Sequence, residues 1–198
     1  MKEIKLESLS KFDESEYIDK ILKNNKLFIY PTDTLYGIGG NFYSLEVINK
    51  IDKIKGRTDK PYSVAVSDLE MLKGMVKNIP DIFTEKYSKL LPGKYTFLFE
   101  IADHIDRDLV KGSNKIGIRI PESPEILRLI DRVGTPVITT SVNETGELPL
   151  NKFDDIIEFI KKNNFEQDIS LIINGGDLQG ATGSTIIDLT EEKPVYLR

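Results

Sequence analysis

The sequence predicts an α/β fold with a mostly buried β-sheet, and two observations carry that prediction. Short apolar runs alternate with stretches of helical periodicity from one end of the chain to the other. The 198 residues contain no internal repeat, low-complexity segment or Pro/Ser-rich linker, and a chain of this length buries roughly 70% of the surface of its unfolded form. We therefore expect residues 1–198 to form a single domain.

The strand-like runs are short and are bounded by turn residues or prolines. We expect strands at 27–30, 63–67, 95–101, 115–120, 136–140, 169–173 and 184–189, and an edge pairing at 195–197. Apolar residues at helical spacing predict helices over 47–54, 122–133 and 153–160, and two further helical stretches on either side of Pro80. Turn-rich segments at 31–41, 139–151 and 174–184 follow strands, which is where ligand sites form in such folds.

The composition excludes several kinds of site. Because the chain has no cysteine, it has no disulfide, thiolate zinc site or cysteine nucleophile. Its single histidine, His104, excludes a multi-histidine metal centre and argues against a Ser-His-Asp arrangement. We therefore expect no metal ion held by protein ligands.

The charge pattern predicts a cytoplasmic protein that binds small molecules. The amino terminus is charged throughout and lacks the apolar stretch of a secretory signal, and no run of about 18 apolar residues is present to span a membrane. The net charge of −5 and the pI of about 5.1 argue against a protein that holds nucleic acid mainly by its phosphates. A local basic patch for a nucleotide is compatible with this balance.

Residues 30–40, YPTDTLYGIGG, place hydroxyls, a carboxylate and phenols between a strand and a glycine-rich turn. Hydroxyls and backbone amides in such a turn suit a polar zwitterion or a phosphate. The alternative is an ordinary turn in which Asp33 and Thr34 satisfy the local backbone.

Five basic residues fall within eleven positions: Lys50, Lys53, Lys55, Arg57 and Lys60. A glycine turn after the helix would bring Lys55, Arg57 and Lys60 together, and three converging cations suit a triphosphate. The alternative is a solvated helix face with favourable charges at a helix C-terminus.

Three later segments offer further ligand contacts. Arg119 interrupts an apolar strand and, if buried, needs an anionic partner such as a substrate carboxylate; the alternative is an edge strand with Arg119 facing water. Ser141 and Asn143 are two apart in an extended segment, so they point the same way and offer a hydroxyl and an amide to one ligand, unless they only lead into an Asx-type turn. The glycine-rich segment 174–185 permits close approach to a ligand but matches no phosphate-loop pattern.

Together and in this order, these segments resemble the YrdC/TsaC family, the threonylcarbamoyl-AMP synthases. The resemblance rests on PTDTLYGIG, KGRTDKP, PGKYTF, GIRIP, TSVNETG and GGDLQGATGSTIIDL, which lie between residues 30 and 189. It implies a twisted mixed β-sheet that curls around a basic cavity and is flanked by helices, in the single-domain form of the family. It also implies a nucleotidyltransferase that converts L-threonine, bicarbonate and ATP, with Mg²⁺ carried by the ATP, into threonylcarbamoyl-AMP and pyrophosphate. That product feeds the threonylcarbamoyladenosine modification of ANN-decoding tRNAs, and a partner enzyme performs the transfer to tRNA.

The resemblance further implies roles for the residues that match the family motifs. Thr34, Arg119 and Ser141 would hold L-threonine, with Arg119 on its carboxylate. Lys55, Arg57 and Lys60 would meet the phosphates of ATP, and further nucleotide contacts would come from Asn143, Ser184, Lys115 and Asn151. The nucleophiles belong to the substrate, so Lys55 and Arg57 would serve catalysis by positioning and by neutralising charge.

The sequence departs from the family pattern at Asp33, Ala65, Lys94 and Val142, and PGKYTF and GGDLQG lean toward the YciO-like branch. Two other functions therefore stay open. One is a divergent YciO-like paralogue that binds nucleotide or RNA with weak or different activity. The other is a nucleic-acid-binding module, whose affinity for tRNA would fall steeply with salt.

Overall fold

One mixed sheet organises the part of the chain that the computed structural model describes, which is residues 1–9, 12–57, 59–178 and 183–197, with the side chains of 12–15 excluded. Its strands are β1 (Lys2–Lys5), β2 (Leu27–Pro31), β3 (Tyr36–Gly39), β4 (Ser63–Ala65), β5 (Tyr95–Glu100), β6 (Lys115–Arg119), β7 (Val137–Ser141), β8 (Ile169–Asn174), β9 (Thr185–Asp188) and β10 (Val195–Tyr196). They lie in the order β1-β8-β2-β3-β7-β4-β6-β5-β9-β10. Four neighbouring pairs are parallel (β1–β8, β2–β8, β4–β6 and β5–β9) and the other five are antiparallel, which confirms the predicted mixed sheet.

Five α-helices flank the sheet within the described residues: α1 (Phe12–Lys23), α2 (Leu45–Lys55), α3 (Leu69–Lys73), α4 (Pro124–Val133) and α5 (Phe153–Lys162). Shorter helical turns occupy 6–8, 83–87, 88–90, 107–110 and 165–167. None of the helices in the described ranges is both long enough and apolar enough to cross a membrane.

Apolar side chains pack on both faces of the sheet. One cluster joins the buried faces of α2 and α5 to strand residues such as Ile38, Val64 and Ile118. The other joins α1 and α4 to Phe28 and Leu171. Burial on both faces explains why the strands read as nearly continuous apolar runs.

Every strand and helix expected from the sequence is present, with bounds that differ by a few residues. Three elements were not predicted: β1, α1 and β3. The residues of β3, YGIG, read as part of a turn, yet they pair with β2 so that Phe28 faces Gly39 and Tyr30 faces Gly37. The two aromatic rings occupy the space that side chains on those glycines would fill. Of the glycine-rich segment 174–185, residues 179–182 lie outside the described ranges, as does Thr58.

Gly39→Ala tests this close approach. A Cβ at Gly39 would lie 2.7 Å from Tyr30 Cε1 and 3.0 Å from Phe28 Cζ, so we expect a loss of about 1–3 kcal/mol in the free energy of unfolding, measured by urea denaturation. Gly74→Ala is the matched control, because its nearest contact would be an ordinary 3.5 Å and its φ is −65°. Equal effects at the two positions would contradict the role assigned to Gly39.

Candidate active site

A cavity of about 540 Å³ lies against strands β3, β7, β4, β6, β5 and β9 of the sheet. Most of the strand residues that line it are small or carry hydroxyls, among them Gly37, Ser63, Thr96, Thr139 and Ser141. Their neighbours in sequence, such as Ile38, Val64 and Ile138, are buried in the apolar core. Because successive side chains of a strand point to opposite faces, one face of the central sheet is polar and open to a ligand while the other is packed.

Lys55, the last residue of α2, is a buried cation of the cavity. The helix ends in a Schellman-type turn, in which Gly56 has φ of +62° and the Asp52 carbonyl accepts the N–H groups of Gly56 and Arg57. Lys55 is only 4% exposed, and its ammonium donates to the Ser141 carbonyl at 2.9 Å and to Asn143 Oδ1 at 2.6 Å. Burial and the nearby charge of Arg57 lower the pKa of Lys55 to about 8.

Ser141 and Asn143 lie side by side, as their spacing predicts, with the Ser141 hydroxyl donating to Asn143 Oδ1 at 2.6 Å. The Asn143 amide donates to the carbonyls of Glu144 and Glu147 at 2.8 and 2.7 Å. Asn143 therefore holds the turn after β7 and orients Lys55. Both residues also line the cavity, and their contacts with substrate stay predictions.

The basic cluster divides into two groups. Lys55, Arg57 and Lys60 all line the cavity, as expected for a triphosphate site. Lys50 instead contacts Glu46 at 2.6 Å and Lys53 contacts Asp168 at 3.4 Å, and neither lines the cavity. Lys50 and Lys53 are thus paired with carboxylates outside the cavity, and the end of the helix and the turn that follows it carry the charges of the site.

Arg119 is buried in β6, between β4 and β5, so the alternative of a water-facing edge strand is wrong. Its Nη2 contacts Asp33 Oδ1 at 2.5 Å, and its Nη1 donates to Thr34 Oγ1 at 3.0 Å. The anionic partner in the structure is thus a carboxylate of the chain itself. Thr34 and Arg119 nevertheless line the cavity, and Arg119 Nε has no hydrogen-bond partner among the described residues.

Of the remaining residues predicted to contact the nucleotide, one lines the cavity and two do not. Ser184 lines the cavity, and its hydroxyl lies 2.7 Å from Thr96 Oγ1. Lys115 does not line the cavity, and its ammonium contacts Asp188 at 2.9 Å and Glu191 at 2.8 Å. Asn151 is also absent from the lining and accepts the Leu178 N–H with its carbonyl. The nucleotide contacts of Lys115 and Asn151 stay predictions.

The departures from the family pattern are absent from the cavity lining, but one of them, Asp33, pairs with Arg119, which does line it. Val142 is fully buried in the apolar core although it stands between Ser141 and Asn143. Ala65 is buried in the second cluster. Neither residue lines the cavity, and neither does Lys94.

Sequence reasoning missed Tyr62, Ser63, Thr96 and Thr139 as residues of the site. The last three carried a usable signal, because each alternates with apolar residues along a strand and therefore marks a polar face. Tyr62 had no such signal.

A family model named Sua5/YciO/YrdC, described as telomere recombination, matches residues 20–198. A threonylcarbamoyl-AMP synthase of Pyrococcus abyssi is 29% identical over 178 residues, which make up 89% of this chain and 51% of that protein. The crystal structure of P. abyssi Sua5 complexed with L-threonine matches with a TM-score of 0.85 at 28% identity, over 95% of this chain and 54% of that one. Escherichia coli YciO matches with a TM-score of 0.82 at 26% identity, over 95% of this chain and 89% of YciO. The fold prediction is thereby confirmed, and the chain spans about half the length of the P. abyssi synthase.

The ion pair between Arg119 and Asp33 predicts a stability effect. The two side chains are 7% and 5% exposed, so Arg119→Met strands a buried carboxylate and should cost about 3–5 kcal/mol of unfolding free energy. Adding Asp33→Leu should recover part of that loss, because the unpaired charge is removed. Arg128→Met is the control: its pair with Glu125 is largely exposed, and we expect about 1 kcal/mol or less. Equal losses for Arg119→Met and Arg128→Met in urea denaturation would contradict the pairing.

The lowered pKa of Lys55 predicts that anion binding depends on pH. Its amine is charged below a pKa of about 8 and becomes neutral above it, so the affinity for ATP should fall as the pH rises from 7 to 10. The fall is at most about tenfold per pH unit, because one proton is linked to binding. Calorimetric titrations of the wild type and of Lys55→Met across this range make the comparison, and the variant should lack the step. The same profile in both proteins would assign the titration to another group.

Proposed function

The chain belongs to the Sua5/YciO/YrdC family, and we propose that it is an L-threonylcarbamoyladenylate synthase, which makes threonylcarbamoyl-AMP and pyrophosphate from L-threonine, bicarbonate and ATP. One observation carries the proposal. A single cavity is lined both by three cations, Lys55, Arg57 and Lys60, and by the arginine–hydroxyl pair of Arg119 and Thr34. Its volume of about 540 Å³ falls within the roughly 300–1,000 Å³ of small-molecule sites.

In this proposal the cations bind the phosphates. Arginine offers a planar, always charged fork to phosphate oxygens, and lysine offers a compact point charge. Within the described residues no carboxylate is paired with Lys55. Its charge is therefore available to neutralise the nucleotide.

Arg119, Thr34 and Ser141 hold L-threonine. Asp33 engages Nη2 of Arg119 and leaves Nε without a hydrogen-bond partner in the described ranges. Arg119 itself lines the cavity, which supports a contact with the substrate carboxylate. Asp33 meanwhile fixes the guanidinium plane, so the arginine is ordered before substrate arrives.

The chemistry needs no nucleophile from the protein. The threonine amine attacks the carbon of CO₂ formed from bicarbonate, a C–N bond forms and the amine loses a proton. An oxygen of the resulting carbamate attacks the α-phosphorus, the bond to the β-phosphate bridging oxygen breaks, and pyrophosphate leaves. The chain contributes alignment of the two substrates and neutralisation of the charge that builds on the phosphates.

The site offers Mg²⁺ no protein cage. No group of three or more His, Asp or Glu residues in the described ranges is arranged to hold a metal ion. This donor set fits Mg²⁺ that is carried by the ATP phosphates and supplies further charge neutralisation there.

The wider role follows the chemistry of the product, a mixed anhydride that a transferase consumes when it modifies ANN-decoding tRNAs in the cytoplasm. A net charge of −5 supports weak rather than tight tRNA binding by this chain. Both the transferase partner and the cytoplasmic location stay predictions.

One observation favours the alternative of a divergent YciO-like protein that binds nucleotide without efficient synthesis. The sequence departs from the synthase pattern at Asp33, Ala65, Lys94 and Val142. Against it, the residues that depart from the synthase pattern at positions 65, 94 and 142 do not line the cavity.

Pyrophosphate release separates the two functions. We expect release from ATP that requires both L-threonine and bicarbonate, measured by a coupled colorimetric assay. Arg57→Ala should lower kcat/KM for ATP by about 10- to 150-fold, the worth of a charge-assisted contact. Lys53→Ala is the matched control, since Lys53 belongs to the same basic run but lies outside the cavity. ATP turnover that is indifferent to threonine and bicarbonate would rule out the synthase.

A further inference from the structure

The guanidinium of Arg57 lies over the ring of Tyr62, with Cζ 5.0 Å from the ring centroid. This distance is within the range of a cation–π contact. Both residues line the cavity. The ring therefore forms the support on which one of the three cations rests.

The Tyr62 side chain is itself held in place by Asp52 and, through Asp52, by Lys111. Its hydroxyl donates to Asp52 Oδ1 at 2.7 Å, and Asp52 Oδ2 pairs with the ammonium of Lys111. The side chains of Asp52 and Lys111 are 9% and 15% exposed. Both carboxylate oxygens thus have partners away from bulk water, where such contacts are strongest.

Asp52 also shapes the backbone at this point. Its carbonyl accepts the N–H groups of Gly56 and Arg57, which closes the turn at the end of α2. One residue therefore sets the path of the chain to Arg57 and anchors the ring beneath the Arg57 side chain. Lys111, which follows the helical turn at Arg107–Val110, connects this arrangement to a distant part of the chain.

We propose that Tyr62, anchored by Asp52 and Lys111, is a positioning residue that holds the Arg57 guanidinium ready for the phosphates of the nucleotide. The inference rests on the proposed function, because the anion is taken to be the triphosphate of ATP. A long side chain that is already ordered has less rotamer entropy to lose when it binds. The competing view is that Tyr62, which is 6% exposed, only fills the core, and then its loss would act on stability without acting through Arg57.

A double-mutant cycle decides between these views. ATP affinity is measured by calorimetry for Tyr62→Phe and Tyr62→Leu, each in the wild-type and Arg57→Ala backgrounds. We expect Tyr62→Leu to weaken ATP binding roughly 2- to 30-fold in the wild-type background, and Tyr62→Phe, which keeps the ring, to weaken it less. In the Arg57→Ala background, Tyr62→Leu should change the affinity by about twofold or less, because its effect passes through Arg57.

Lys111 supplies a second test that leaves the cavity lining untouched. Lys111→Met should weaken ATP binding, and Lys111→Arg, which keeps a cation for Asp52, should restore it. Tyr43→Leu is the control for loss of a tyrosine, since Tyr43 is half exposed and outside the cavity. If Tyr62→Leu does not fold, as judged by circular dichroism, Tyr62→Phe and the Lys111 pair carry the test.

Equal effects of Tyr62→Leu in both backgrounds would overturn the inference, and so would full ATP affinity in Lys111→Met. Threonine-dependent pyrophosphate release is measured on the same proteins to keep the two proposals apart. A wild type that binds ATP but releases no pyrophosphate defeats the proposed function and leaves the cycle to decide the inference. Normal synthesis with no coupling between positions 57 and 62 defeats the inference alone, and absence of any ATP binding defeats both.

Discussion

The site depends on the burial of one cation, Lys55, between the end of α2 and the turn after β7. Its ammonium donates to Ser141 and Asn143, while its carbonyl accepts the Thr145 N–H at 3.0 Å. A buried ammonium is costly unless it is hydrogen-bonded, and neutral oxygens meet that need without cancelling its charge. The helix end and the turn are thereby joined around a positive charge that an anion is still required to balance.

The positive charges of the cavity differ in whether a carboxylate of the chain pairs with them, and this difference distinguishes two kinds of ligand group. Arg119 is already paired with Asp33, so its surroundings are close to neutral and suit one carboxylate of a zwitterion. Lys55, Arg57 and Lys60 line the same cavity, and no carboxylate is paired with them in the described part of the chain. A chain with net charge −5 thus concentrates positive potential in one cleft, which draws a polyanion to it.

The sequence predicted the features that neighbouring residues determine, and it missed those that depend on residues far apart in the chain. Periodicity located the strands and helices, because it reports burial of a single element, and the glycine after α2 correctly placed Lys55, Arg57 and Lys60 together. The strand of Tyr36–Gly39 was missed because its two glycines are typical of a turn, whereas in the structure the rings of Phe28 and Tyr30 on β2 lie against them. The partner of Arg119 was missed for a related reason: Asp33 is 86 positions away, and only the order of the strands brings the two together. The sequence did not predict Tyr62 as a residue of the site, because its role depends on Asp52 and Lys111 and no local pattern connects the three.

The alternation of side chains along β7 helps to decide between the synthase branch and the YciO-like branch of the family. Ser141 lines the cavity, and Val142, the next residue, is turned into the apolar core. A change from a small residue to valine there alters packing behind the strand while the polar face in front keeps its hydroxyl. Ala65 lies two residues after Ser63 and therefore on the cavity's face of β4, but it is buried in the second apolar cluster and is absent from the lining. Departures among packed residues affect the stability of the scaffold before they affect a ligand, whereas Asp33 contacts the cavity through its pair with Arg119. In the proposed synthase, catalytic capacity therefore depends on the cations and hydroxyls that face the cavity, among them Lys55, Arg57 and Ser141 of the synthase motifs.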